Sequence, residues 1–131
     1  MEAGPHLTRR AGALALRRGA EGEEAAFRHL RGLGYVILSR NFKTRSGELD
    51  LVARDGRTLV FVEVKRRETA GHGSAAEFVS PAKMRRVVAA ARIYAAKHGF
   101  SESSVRFDVV AIDVIDGRER LRHHKGAFDA R

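Results

Sequence analysis

The chain has 131 residues, 44% of them apolar and 31% charged, which suits one domain with a sizeable core and leaves too little chain for two. Lys+Arg number 25 against Asp+Glu 16, a net charge of +9 with a pI near 11, the electrostatic footprint of a polyanion binder. No apolar run reaches the ~18 residues a membrane-spanning helix needs, and the lack of cysteine removes disulfides and thiolate sites and fits a cytoplasmic setting.

Residues 1–18 have weak periodicity and several arginines, Arg9, Arg10, Arg17 and Arg18, and read as a basic, mobile N-terminal arm ahead of one α/β domain over 19–131. A secretory leader does not fit, because Ala11–Leu16 is short and Arg17-Arg18 follow it. A helix is expected from about Ala20 to Gly32. Ala20, Glu23, Ala26, Phe27 and Leu30 share one face at a period of 3.6. Glu24 lies round the helix beside Arg28 and Arg31, as a surface ion-pair residue would. Glu23 is the anomaly in the apolar stripe. Either it reaches a site beneath the helix, or it sits at the stripe's edge and favours the helix dipole. Gly34 supplies the C-terminal stop.

Tyr35–Leu38 reads as a short strand, followed by a basic connection through Arg40, Asn41, Phe42, Lys43 and Arg45. Residues 47–65 then read as two strands joined by Asp55-Gly56, a strong signal for a two-residue hairpin. In that register Arg54 faces Arg57, Val52 faces Leu59, Asp50 faces Phe61 and Glu48 faces Glu63. Alternation puts Glu48, Asp50, Glu63 and Lys65 on one face. Directly opposed residues lie about 5 Å apart, and diagonal neighbours such as Asp50 and Glu63 roughly 7–8 Å. Carboxylates so close repel unless something positive lies between them, such as a divalent metal or Lys65. Surface decoration is a poor alternative. Leu59-Val60-Phe61-Val62 and Val64 are apolar on both faces, as in a central buried strand, where a charge needs a partner.

Residues 66–80 hold Gly71, His72, Gly73 and Ser74 without periodicity and read as a mobile loop. Ser80-Pro81 opens a second helix, with Ser as N-cap and Pro at the first helical position. Met84, Val87, Val88, Ala91, Tyr94 and Ala95 form its buried stripe, and Gly99 ends it. Val105–Ile115 is a long strand, and Asp116-Gly117 turns into a basic terminal segment. The element order is α-β-β-β-α-β, with a mixed sheet, because a strand that follows a helical crossover is usually parallel. No phosphate-binding glycine loop is present. The histidines His6, His72, His123 and His124 match no zinc spacing.

An Asp on one strand, Glu-x-Lys on the next, and a preceding helix bearing Glu resemble the PD-(D/E)XK nuclease core of restriction endonucleases and Holliday junction resolvases. More closely, the chain resembles the YraN-like family of small bacterial proteins. The matching pieces are Gly22-Glu23, Gly34-Tyr35, Arg40-Asn41-Phe42, Gly47-Glu48-Leu49-Asp50-Leu51, Phe61-Val62-Glu63-Val64-Lys65-Arg66-Arg67, Lys83, Arg106-Phe107-Asp108 and Ala127-Phe128. This resemblance implies a restriction-endonuclease-like α/β fold, with helices flanking the central sheet. It implies that Asp50 and Glu63, with the Val64 carbonyl, hold Mg²⁺ or Mn²⁺, and that Lys65 serves the attacking water. It also places Glu23 in the site. Arg40, Arg45, Arg66, Arg67 and Lys83 are expected at phosphates, and resolvase-like relatives suggest a homodimer. The expected activity is metal-dependent cleavage of DNA in repair or recombination. The alternative is a non-catalytic protein that kept the fold and binds nucleic acid or the ribosome.

Overall fold

The structure is a computed structural model that describes residues 21–68 and 79–130. The expected N-terminal arm and most of the loop before the second helix lie outside these residues. Helix α1 runs over 21–32. Strands β1 (Val36–Lys43), β2 (Glu48–Asp55) and β3 (Thr58–Glu68) follow, then helix α2 (Pro81–Lys97) and strands β4 (Ser104–Ile115) and β5 (Arg118–Phe128). The strands form one sheet in the order β1-β2-β3-β4-β5. β3 and β4 are parallel across the α2 crossover; the other neighbours are antiparallel. This is the mixed, helix-flanked sheet of a restriction-endonuclease-like arrangement, with one strand more than the sequence pattern suggests.

Each helix covers one face. Ala26 and Leu30 of α1 pack with Leu51, Ala53, Val60, Val62, Val110 and Ile112. Val87, Val88, Ala91 and Tyr94 of α2 pack with Leu49, Val52, Phe61 and Phe107. β3 is the middle strand, and this accounts for its apolar residues on both faces. The helix ends follow local chemistry. Gly34, at φ +89°, closes α1 by sending its N–H to the Arg31 carbonyl while Tyr35 N–H reaches the Leu30 carbonyl, a Schellman motif. The Ser80 hydroxyl accepts from Lys83 N–H at the start of α2, as an N-cap does.

Two corrections concern turns. β5 occupies the stretch read as a basic terminal segment. Asp116 (φ 51°) and Gly117 (φ 75°) are both left-handed, as a type I′ turn requires, and Ile115 pairs with Arg118. The earlier hairpin turns on Gly56-Arg57 and not on Asp55-Gly56. Asp55 pairs with Thr58, and Gly56, at φ 60°, takes the first central position, where a type II′ turn places glycine. The register therefore moves: Val52 faces Phe61 and Leu51 faces Val62. Continued by one residue, it sets Asp50 opposite Glu63.

The strand pair also rotates at Asp50. Leu49 joins the α2-side core with Val52, whereas Leu51 and Ala53 join the α1-side core. Strict alternation would place Leu49 with Leu51. On β1, Arg40 pairs with Leu51 and Phe42 with Leu49, so Asn41 lies across from Asp50. Asn41 has φ 54°, a left-handed conformation that Asn tolerates better than most residues.

Candidate active site

The β2–β3 ladder ends at the Leu51–Val62 pair. Just beyond it, Asp50 Oδ2 accepts the backbone N–H of Val64 at 2.8 Å. Asp50 is thereby fixed at the edge of the gap between the strands. Glu63, on the α2 face of β3, is only 5% exposed. Its Oε1 lies 3.5 Å from Lys83 Nζ of α2, and its Oε2 is buried without a hydrogen bond of regular geometry, although the Asp50 carboxyl lies close enough for the two acids to share a proton. Burial, followed by the charge of Asp50, pushes the Glu63 carboxyl up to about 8 against the pull of Lys83. Asp50 is raised as well. Burial is the main cause, and the charges of Glu23 and Glu48 add to it; the Val64 N–H and Lys83 oppose it. Two neighbouring carboxyls thus both resist ionisation.

Glu23 reaches this centre electrostatically from α1, on the other side of the sheet from Lys83. Lys65 follows Glu63 by two residues and so shares its face of β3; it is half-buried. Lys83 bridges to a neighbouring cleft of about 320 Å³ between the β1–β2 connection and α2, lined by Lys43, Arg45, Glu48, Lys83 and Arg86. Gly47 brings the connection against α2. A Cβ there would stand 2.3 Å from the Arg86 carbonyl oxygen, a distance no side chain tolerates.

The other expected phosphate contacts are dispersed. Arg40 is exposed on β1, binds Glu24 at 3.0 Å and lies over the Phe27 ring. Arg66 points to the α1 side, where its stem packs at Gly22; its side chain is 15% exposed and lies 3.6 Å from Glu68. Arg67 is half-buried on β3. The structure thus brings Asp50, Glu63 and Lys83 together at the end of the β2–β3 ladder, with Glu23 and Glu48 near enough to act on Asp50 through their charge. Lys65 lies on the Glu63 face of β3, Arg45 in the neighbouring cleft, and Arg40 and Arg66 on the α1 side.

A second buried carboxylate was not singled out from the sequence. Asp108 of β4 is fully buried. It accepts from Arg106 Nε and Nη2 (2.8 and 3.0 Å) and from the Gly126 N–H (3.0 Å), and lies 2.7 Å from His123 Nε2. Burial would raise this carboxyl, but the bonds from His123, Arg106 and Gly126 outweigh it and hold it at about 2. Arg106 also binds Asp55 and the Tyr35 hydroxyl, and His123 Nδ1 meets His29 Nε2 of α1 at 3.1 Å. The group ties α1, β2, β4 and β5 together. Its sequence signal is an Asp inside the apolar run of β4, flanked by Arg106, since a buried charge requires partners.

The model of the uncharacterised protein family UPF0102 matches residues 22–112. The chain belongs to this family. A UPF0102 protein of Anaeromyxobacter dehalogenans is 51% identical over 111 residues, which is 85% of this chain and 83% of the relative. One from Geobacter sulfurreducens is 45% identical over 112 residues, covering 85% and 88%. One from Symbiobacterium thermophilum is 45% identical over 118 residues, covering 89% of this chain and all of the relative. The matched UPF0102 segment contains Glu23, Asp50, Glu63, Lys65 and Lys83, and ends before the β5 residues that complete the Asp108 network. Among the described residues, no group of three or more His, Cys, Asp and Glu side chains is arranged to hold a metal ion, and no helix is long and apolar enough to cross a membrane.

Proposed function

We propose that this UPF0102 protein is a divalent-metal-dependent nuclease of the PD-(D/E)XK type, hydrolysing phosphodiester bonds in nucleic acid, DNA foremost. The observation that carries the proposal is the Asp50–Glu63 pair. In a chain with 25 Lys and Arg, Glu63 keeps a buried oxygen without a regular hydrogen bond while a second carboxyl lies beside it. Ionising that pair opposes folding unless an external cation enters, and without one Glu63 keeps its proton up to about pH 8. Mg²⁺ is commonly held by one or two carboxylates, with water filling the other positions, so Asp50, Glu63 and the Val64 carbonyl are a fitting donor set for Mg²⁺ or Mn²⁺. Such an ion supplies charge neutralisation at the phosphate and a more acidic water.

The chain's own residues would do the rest. Lys65 orients the attacking water and offsets charge that builds on the scissile phosphate. The Val64 N–H fixes the Asp50 rotamer, and Glu23 sets the local field from α1. Lys43, Arg45, Lys83 and Arg86 hold neighbouring phosphates in the cleft beside Glu63, a task that carries no base information. A homodimer, as in resolvase-like enzymes, would pair two such sites across a branched substrate.

The decisive experiment incubates wild type, Lys65→Ala and Asp50→Asn with single-stranded, duplex, flap and four-way DNA and with RNA, in Mg²⁺, Mn²⁺ or EDTA. Wild type should cut with metal and not in EDTA. Both variants should still bind and should not cut. A wild type that binds throughout but never cuts favours the alternative, a nucleic-acid- or ribosome-binding protein on the same fold. Equal cutting by all three proteins places the activity elsewhere.

A further inference from the structure

A separate cleft opens between α1 and β1. Its volume is about 720 Å³, and Phe27, Arg31, Tyr35, Val36, Leu38 and Arg40 are among its lining residues. This lies within the roughly 300–1,000 Å³ range of sites that take small organic groups. Phe27 is half-buried. The Arg40 guanidinium lies over its ring at 4.5 Å from the centroid, and that of Arg31 at 5.6 Å. Ring and planar cations make a platform on which a flat aromatic group can stack. Val36 adds apolar surface and is 46% exposed. Glu24 holds Arg40 at 3.0 Å and steadies it over Phe27.

The cleft lies on the α1 side of the sheet, the side from which Glu23 acts on Asp50. Phe27 lies four residues beyond Glu23, one turn along the same face of α1, and the charge of Glu23 is felt at Asp50. A strand whose phosphate reached Asp50 at the end of the β2–β3 ladder would pass Glu23 and extend along α1 into this cleft.

An added β-strand is a poor occupant. β1 is an edge strand, but its register shifts between Ile37 and Ser39 and Asn41 is left-handed. Arg40 and Lys43 lie along it. Bulges and charges of this kind block edge pairing.

We infer that the α1–β1 cleft receives one unpaired nucleobase of the bound strand, stacked on the Phe27–Arg40 platform, with Arg31 near its phosphate. This rests on the nuclease reading for the location of the strand, and it names the substrate class: nucleic acid with unpaired nucleotides, whether single strand, flap or branch. A base in continuous duplex is stacked on both faces and would first have to be flipped out, at a cost that an unpaired base does not incur.

The test uses the full chain in EDTA, where cutting plays no part. Single-stranded DNA with one 2-aminopurine, and its complementary duplex, are titrated with wild type, Phe27→Leu and Arg40→Lys. Wild type should change the 2-aminopurine fluorescence in the single strand and not in the duplex. Phe27→Leu should weaken single-strand binding about tenfold, within what base–aromatic stacking supplies, and leave duplex binding within about twofold. Arg40→Lys keeps the charge, loses the planar face, and should show the same selective loss; it also covers the case in which circular dichroism finds Phe27→Leu misfolded. Equal losses on both DNAs, no loss on either, an unchanged fluorescence signal, or no DNA binding at all would overturn the inference. Selective base binding without metal-dependent cutting would remove the nuclease reading and keep this one. Cutting that needs Asp50 but ignores both substitutions would do the reverse.

Discussion

Replacing Glu63 by Gln should stabilise the metal-free protein, and should do so only at neutral and alkaline pH. The Glu63 carboxyl titrates near 8 in the fold, against an ordinary 4.5. Between those values the folded chain holds a proton that the unfolded chain has released. Folding stability then falls as pH rises through this window and is flat outside it. At ~1.4 kcal/mol per pH unit, the ceiling on the loss is about 5 kcal/mol. Gln at this position also forfeits the contact with Lys83, 3.5 Å from Oε1, so the net gain for Glu63→Gln at pH 8 is about 2–4 kcal/mol. For a chain of this size that is roughly 10 °C in Tm. The assay is urea and thermal unfolding in EDTA from pH 4.5 to 8.5. Wild type should weaken with pH across the window, the variant should weaken less, by the part that the raised Asp50 carboxyl contributes, and the two should converge toward pH 4.5. Adding Mn²⁺ at pH 8 should raise the wild-type Tm through selective binding to the folded state, with little effect on the variant. Parallel pH profiles, or a variant less stable than wild type at pH 8, would refute the reading of Glu63 as an uncompensated buried carboxyl.

Gly47→Ala should cost more than about 2 kcal/mol by equilibrium unfolding, because its Cβ would meet the Arg86 carbonyl oxygen at 2.3 Å and overpacking against backbone cannot be relieved by a side-chain rotation; an unchanged midpoint would mean that the β1–β2 connection is not seated on α2. Asp108→Asn should cost about 3 kcal/mol, as breaking a buried charge network does. The wild-type carboxyl is held at about 2, below its ordinary value, so its contribution is full above about pH 4 and is lost as pH falls through 2; acid unfolding of the variant should lack that steep limb. Nucleic-acid affinity should fall linearly on a plot of log K against log[salt], as counterion release requires, and a flat plot in fluorescence anisotropy would rule out binding dominated by phosphate contacts.

Much of the architecture is legible in the sequence because its signals are local. Ser80-Pro81 and Gly34 mark helix ends with their own chemistry, and the two-sided apolar run of β3 marks the strand that lies between two helices. β5 is less legible. It is an edge strand rich in Arg, His and Lys, and its residues are mostly exposed, so no apolar alternation announces it. The Asp116-Gly117 turn was the available signal. The register of the first hairpin is underdetermined for a different reason. Moving the two-residue loop by one position changes every cross-strand partner but keeps every side chain on its face. Hydrophobic pattern cannot separate the two, yet only one of them sets Asp50 opposite Glu63. The rotation at Asn41 and Asp50 depends on a left-handed residue on the neighbouring strand, which no reading of β2 alone reveals. The Asp108 network joins four elements through Arg106, His123 and His29, and sequence spacing does not bring those residues together.

The contrast between the buried carboxylates separates structure from function more sharply than either does alone. Asp108 and Glu63 lie on adjacent strands of one sheet, and burial pushes both toward the neutral form. Around Asp108 the chain supplies a bidentate arginine, a histidine and a backbone N–H, and the carboxylate is held ionised with its hydrogen-bonding capacity used within the fold. Around Glu63 it supplies Lys83 at 3.5 Å, leaves Oε2 without a regular hydrogen bond, and sets another acid alongside. A basic chain does not lack cations for the second task. Arg45, Lys43 and Arg86 line the cleft next to it, and packing them onto Glu63 would follow the solution used at Asp108. An acid that the fold satisfies internally has no capacity left for a ligand. One that the fold leaves protonated and under-coordinated, at the end of a ladder and beside a basic cleft, retains that capacity once it ionises, and the cost to stability predicted for Glu63 is the measurable sign of it.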